Sequence, residues 1–277
     1  TPRSSSAASD VYKRQFEELI MEKFKDISVS IKQHLAYVEI NRPPNNFFDA
    51  NLIQQIADAY ESLDEEDECR VILLKSEGKN FCAGANFGQD EDMLDKSVPY
   101  KKLYAQAVRL FRTRKPVIAV VQGAAIGGGL GLALSADFRV ACHEARFAAN
   151  FAKLGFHPGF GSSITLPRVV GVQKAKDMLF TARRVTGEEA FKIGLADKFC
   201  SKEKITEEAE QLAMEIASSA PMAVESIRST LRGNLADQIE QIVDWELSEQ
   251  VRLQKTEDFK TGIAASLSRE RPQFKRK

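Results

Sequence analysis

The sequence has little that fixes a function class by composition alone. Of its 277 residues only three are histidine, at 34, 143 and 157, and they lie far apart in the chain. The four cysteines, at 69, 82, 142 and 200, form no C-x-x-C pair. Together these absences argue against a metal site or a disulfide framework and imply reduced thiols in a cytoplasmic setting. There is no charge excess either: 39 basic residues balance 39 acidic ones. The broad basic field of a nucleic-acid binder is missing, so small or locally bound partners are expected. A secretory signal is also absent, since "TPRSSSAASDVYKRQ" lacks the required apolar run. That stretch resembles translated adapter sequence, and "EELIM" matches a ribosome-binding site read in frame ahead of a start at Met21. Residues 1–20 are accordingly predicted to be a non-native leader. One long apolar run, "PVIAVVQGAAIGGGLGLALSA" at 116–136, raises a membrane span, but its five glycines and Gln122 make a poor one. It reads better as a buried strand leading into a helix, and no membrane partner is expected.

What is present is the content of a large domain, with 43% hydrophobic residues. "VSIKQHLAYVEI" (29–40) alternates as paired strands do, and "NRPPNNFF" interrupts it with a loop. A helix is predicted from an N-cap at Asp49, with Leu52, Ile53, Ile56, Ala57 and Tyr60 on one face. "RVILLKSEG" reads as a buried strand, "NFCAGANFG" as a small-residue loop, 99–113 as a helix, "VIAVV" as the next strand, and "DFRVACHEARFA" as a further strand pair. This alternation to about residue 200 indicates an α/β class with largely buried strands. Beyond it, 201–277 reads as successive amphipathic helices whose apolar faces need a core or a neighbouring subunit to cover them.

The densest signal is "GAAIGGGLG", residues 123–131, five glycines in nine positions. Each glycine inside an element costs roughly 0.5–1 kcal/mol relative to alanine, so something must approach this backbone closely. Tight strand-to-helix packing is one reason and a bound ligand another. Nucleotide loops fit poorly: no Lys-Ser/Thr follows, and Leu132 stands where a dinucleotide fingerprint needs a third small residue.

Five segments in order carry a resemblance: "NRPPNNFFDANLIQQIADAY", "VILLKSEGKNFCAGANF", "PVIAVVQGAAIGGGLGLALSADFRVA", "FAKLGFHPGFG" and "TEDFKTGIAASLSRERPQF". They resemble the motifs of the crotonase (enoyl-CoA hydratase/isomerase) superfamily from about Met21 to Phe274. The resemblance implies a crotonase-type ββα superhelix over 21–200, a C-terminal helical region over 201–277 used in homotrimer or hexamer contacts, and an acyl-CoA thioester as ligand, with coenzyme A part of the substrate and no separate cofactor. It places two main-chain donors for the thioester oxygen at Ala85 and Gly128. Residues lining the thioester and pantetheine would be Ala83, Ala85, Asn86, Phe87, Gly88, Gly127 and Gly128. Asn46, Phe47 and Phe48 correspond to the segment that meets the adenine, although two phenylalanines depart from the usual small-then-aliphatic pair. Independently of the family, a helix N-terminus offers unpaired N–H groups and a positive dipole end to an oxygen gaining charge.

The departures bear on the reaction. Hydration in this family uses two glutamates, whose positions are Gly131 and Phe151 here; a third carboxylate position, used by dienoyl-CoA isomerases, is Gly159. None of these residues can exchange a proton, which general acid–base chemistry requires. Among substitutes, His157 is the possible acid/base, histidine being the residue type suited to proton transfer near neutral pH. Cys82 reads as a packed small residue, Asp137 and Glu144 as capping or ion-pair residues, and Tyr100 and Tyr104 as helix-face residues over the acyl pocket. The expectation is an acyl-CoA enzyme working through a thioester enolate with classical hydratase activity doubtful; the alternatives are a decarboxylase or C–C lyase, and a non-catalytic acyl-CoA binder.

Overall fold

The computed structural model describes residues 24–86 and 97–277. The predicted leader at 1–20, and Phe87 and Gly88, lie outside the described residues. The chain opens with an antiparallel hairpin, β1 (Ile27–Lys32) and β2 (Leu35–Ile40). Its two-residue turn holds Gln33 at φ 51° and His34 at φ 68°, the left-handed pair that matches the twist of the flanking strands. Helix α1 (Ala50–Asp64) begins where expected: the Asp49 carboxylate accepts from the Leu52 N–H at 2.8 Å. All five predicted core-facing residues of this helix are buried.

β3 (Val71–Ser76), α2 (Ser97–Arg112), β4 (Val117–Val121), β5 (Ala124–Ile126), α3 (Gly128–Ser135), β6 (Phe138–Cys142) and β7 (Arg146–Ala148) follow. After a short 3-10 turn at Asn150–Leu154 come α4 (Ser162–Thr181), β8 (Val185–Thr186), α5 (Gly187–Lys192) and β9 (Lys198–Cys200). The larger sheet has the order β1-β2-β3-β4-β6-β9, parallel beyond the first hairpin; the smaller is β5-β7-β8. "DFRVACHEARFA" therefore does form two strands, but they do not pair with each other: β6 lies between β4 and β9, and β7 between β5 and β8. Between β4 and β5 the chain passes from one sheet to the other at Gly123, next to Gln122, whose side-chain amide donates to the Ser76 carbonyl and hydroxyl. The result is the α/β superhelix of the crotonase fold.

Four helices finish the chain: α6 (Ile205–Ala217), α7 (Pro221–Arg232), α8 (Leu235–Gln254) and α9 (Glu257–Ser268). They do not stand apart from the core. Strand side chains alternate with period two, so Leu35, Val71, Leu73, Ile118 and Val120 face Ile205, Ala209 and Ala213 of α6. Their neighbours Ile72, Leu74, Ala119 and Val121 face the opposite side, in one core with α1, α2 and residues Ile239, Val243, Phe259 and Ile263 of the last two helices. The region after residue 200 thus covers both faces of the large sheet.

Asp137 fastens this tail. Its carboxylate accepts from the Val117 N–H at 2.8 Å, Arg228 Nε at 2.8 Å and Arg232 Nε at 2.9 Å, which ties the β4–β6 edge to α7. Burial alone would raise the Asp137 carboxyl, but Arg232 and Arg228 outweigh it and hold it below the usual carboxylate range. Asp137→Asn leaves two largely buried guanidinium groups facing an amide, and breaking such a buried ion pair costs about 3–5 kcal/mol. Chemical denaturation should show that loss. With the folded pKa below the unfolded one (about 3.9), this stabilisation is present above pH ~4 and disappears as the pH falls through the lowered value. The stability gap between wild type and Asp137→Asn should therefore narrow on acidification; a gap that widens would contradict the assignment.

Candidate active site

The glycine run is explained by two chain segments pressed together. Cys82 forms a parallel bridge with Ala125, the Ile126 N–H donates to the Cys82 carbonyl at 3.1 Å, and the Cys82 N–H donates to the Ala124 carbonyl at 2.8 Å. A side chain at Gly129 would overlap that same Cys82 carbonyl. Gly127 caps α3 at φ 56°, a left-handed conformation that favours glycine. This packing brings the loop 83–86 beside the first turn of α3.

Ala85 and Gly128 end up on the wall of one cavity of about 310 Å³, both half-buried. Gly128 is the first residue of α3, so its N–H has no intrahelical acceptor. Neither the Gly128 nor the Ala85 N–H donates to another described residue. Phe47, Phe48, Ala83, Asn86 and Gly127 line the same cavity. The sequence therefore located seven of its candidate residues at one place.

Two candidates are placed elsewhere. Asn46 is fully buried and is a loop clamp: its side-chain oxygen accepts from the Arg42 N–H at 3.0 Å, and Nδ2 donates to the carbonyls of Glu77 (2.8 Å) and Asn80 (2.7 Å). It does not line the cavity. His157 does not line it either; Nδ1 lies 2.8 Å from the Pro158 carbonyl. The chain bends it away because residues 157–161 must turn sharply into α4. Phe48 also takes part in this packing. Its N–H is taken by the Gly84 carbonyl at 3.1 Å, and its ring, 8% exposed, covers the Cα of Gly128 where a side chain would stand. That places its ring beside the first residue of α3.

The three positions that the resemblance assigns to carboxylates are each closed off differently. A Cβ at Gly131 would lie 2.7 Å from Phe160 Cβ. Phe151 is 6% exposed, its ring edge facing Gly127. A Cβ at Gly159 would overlap the Tyr104 hydroxyl and sit 2.5 Å from Gln250 Nε2. Among the described residues lining the cavity there is no aspartate or glutamate. One carboxylate, Glu246, is fully buried and accepts from the N–H groups of Gly161 (2.8 Å) and Ser163 (3.0 Å) and from the Ser163 hydroxyl (2.6 Å). Burial raises its pKa, and by accepting from these three donors it caps α4; Glu246 itself does not face the cavity. Cys82 is fully buried, which pushes its thiol up to about 12, so it is a packed and unreactive residue.

Most of the remaining wall is apolar and aromatic: Tyr100, Leu103, Tyr104, Leu154, Phe156, Phe160 and Ile263. Ring pairs hold it together, Phe48 edge-on to Phe160 at 5.9 Å and Phe156 against Phe259 at 5.3 Å. Sequence reasoning missed Phe160, Gln250 and Glu246. The last two had a signal: Leu235, Ile239, Val243, Glu246, Gln250 and Gln254 follow one another at helical spacing on the buried stripe of α8. Polar residues on such a stripe require partners inside.

The profile of the enoyl-CoA hydratase/isomerase family matches residues 30–277. The chain is 31% identical over 265 residues to a crotonyl-CoA hydratase of Syntrophomonas wolfei, covering 94% of this chain and 98% of that one. It is 28% identical over 251 residues to the 1,2-epoxyphenylacetyl-CoA isomerase of Escherichia coli, covering 88% and 96%. Among solved structures, an enoyl-CoA hydratase/isomerase from Pseudoalteromonas atlantica superimposes with a TM-score of 0.80 at 28% identity, over 91% of this chain and all of that one.

Proposed function

We propose, for a chain that belongs to the enoyl-CoA hydratase/isomerase family, that the cavity binds an acyl-CoA thioester and that the Ala85 and Gly128 N–H groups hold its carbonyl oxygen as it gains negative charge. The observation that carries this reading is the pair of unengaged main-chain donors from two interlocked segments, opening on one largely apolar cavity. Such donors are fixed before the reaction begins and act where little water competes, which is where electrostatic stabilisation is strongest. Phe48 supports the arrangement by closing the Cα side of Gly128.

The reaction is then one that passes through a thioester enolate. Adding water to an enoyl group also needs a base and an acid placed at the β-carbon, and the three positions that could supply carboxylates hold Gly131, Phe151 and Gly159. Loss of carbon dioxide or a C–C cleavage needs only enolate stabilisation and a final proton, so the geometry favours a decarboxylase or C–C lyase over a hydratase. We place the apolar, solvent-facing side chains of Met222, Ile227 and Leu231 on α7 at contacts between subunits of a trimer or hexamer.

The test is a panel of saturated, unsaturated and malonyl-type acyl-CoA thioesters, each incubated in deuterium oxide with binding measured by calorimetry. Deuterium should enter the α-carbon of at least one bound thioester, detected by NMR. Binding without any exchange or turnover would make the protein a non-catalytic acyl-CoA binder, and absence of binding across the panel would overturn the reading.

A further inference from the structure

Among the polar side chains on the cavity wall, which include Asn86, Asn150, Arg184 and Ser266, one buried pair is not used by the two amides. The Tyr104 hydroxyl, on α2, donates to Gln250 Oε1 of α8 at 2.7 Å, and Gln250 Nε2 donates to the His157 carbonyl at 3.1 Å. Both side chains are buried, Tyr104 at 6% and Gln250 at 1% exposure, and both line the cavity. They meet where Gly159 has no side chain, and any Cβ there would collide with them. Gly159 is thus the vacancy into which this pair is packed.

The hydrogen-bond count of the pair is incomplete. A glutamine amide carries two N–H donors, and a phenol oxygen can accept as well as donate. One Gln250 N–H is satisfied by His157; the other meets no acceptor among the described residues, and neither does the Tyr104 oxygen receive a donor. A buried donor left unmade costs more than a made bond returns. One open donor beside one open acceptor is the complement of a hydroxyl group, which offers one of each.

We infer that Tyr104 and Gln250 form a neutral subsite that takes a hydroxyl on the acyl group and selects hydroxylated acyl thioesters over their hydrocarbon counterparts. The inference rests on the acyl-CoA reading given above and names what that reading leaves open. The pair itself carries no charge, because burial holds the Tyr104 phenol protonated, so it engages a hydroxyl through hydrogen bonds. The rest of the acyl group meets the rings of Phe48, Phe156 and Phe160.

Matched pairs test it: butyryl-CoA against 3-hydroxybutyryl-CoA, and phenylacetyl-CoA against 4-hydroxyphenylacetyl-CoA, with Kd from calorimetry on wild type, Tyr104→Phe and Gln250→Leu. In at least one pair wild type should bind the hydroxylated member about tenfold more tightly, the size of one well-made buried hydrogen bond. Both variants should lose that preference, read as the ratio of the two Kd values within each variant. Equal binding within both pairs by wild type overturns the inference and leaves the acyl-CoA reading standing. A preference that survives in a folded variant also overturns it. Failure of every thioester to bind folded wild type removes the acyl-CoA reading and the subsite with it. The wild-type comparison decides even if a variant does not fold.

Discussion

A proline at Gly128 should lower turnover about 100- to 1,000-fold, the cost of losing one preorganised donor to a developing oxyanion. The position tolerates proline as backbone: it is the first residue of α3, where the missing N–H has no helical partner and the fixed φ suits the first turn. It does not tolerate proline as a side chain, since a Cβ there overlaps the Phe48 ring. The substitution is therefore best made together with Phe48→Leu and compared with Phe48→Leu alone. The double variant should stay folded, bind CoA thioesters and lose the rate. If it turns over as fast as the single one, Gly128 is not a donor.

Crotonyl-CoA hydration by the wild-type protein should be slower than by a relative that keeps both carboxylates by at least about 10²- to 10⁴-fold, the usual contribution of one placed acid or base. Neither Gly131 nor Phe151 can hold or release a proton, and nothing described in the cavity substitutes with a carboxylate. The defect should resist simple repair. Gly131→Glu has to push a Cβ to within 2.7 Å of Phe160 Cβ, a residue that is 1% exposed, so it should destabilise the fold without restoring hydration. A spectrophotometric assay of the enoyl absorbance decides both points. Robust hydration by wild type would show that the carboxylate positions have been matched to the wrong residues.

The sequence made the helix starting at Asp49 legible because the capping carboxylate and the apolar stripe act within a few residues of each other. The family resemblance also led to Ala85 and Gly128, which the fold places on the wall of one cavity. What it concealed depends on contacts distant in the chain. Gly159 reads as a loop glycine until Tyr104 and Gln250, 55 residues before it and 91 after, are seen to occupy its space. His157 looked reactive on its own, and only the turn into α4 shows its ring outside the cavity. Phe48 departs from the usual small-then-aliphatic pair, and only the fold shows its ring standing against the Cα of Gly128. The two strands of "DFRVACHEARFA" read as partners because a short turn joins them, yet the division into two sheets sends them to different neighbours.

The central claim is that two main-chain N–H groups grip one thioester oxygen, and the stretching frequency of that carbonyl reports it most directly. Isotope-edited infrared difference spectra of butyryl-CoA labelled with ¹³C at the thioester carbonyl should show the band displaced to lower frequency on binding, relative to the free ester in water. Phe48→Leu/Gly128→Pro should return it toward the free value. A bound thioester whose carbonyl band does not move in the wild-type protein would contradict the account.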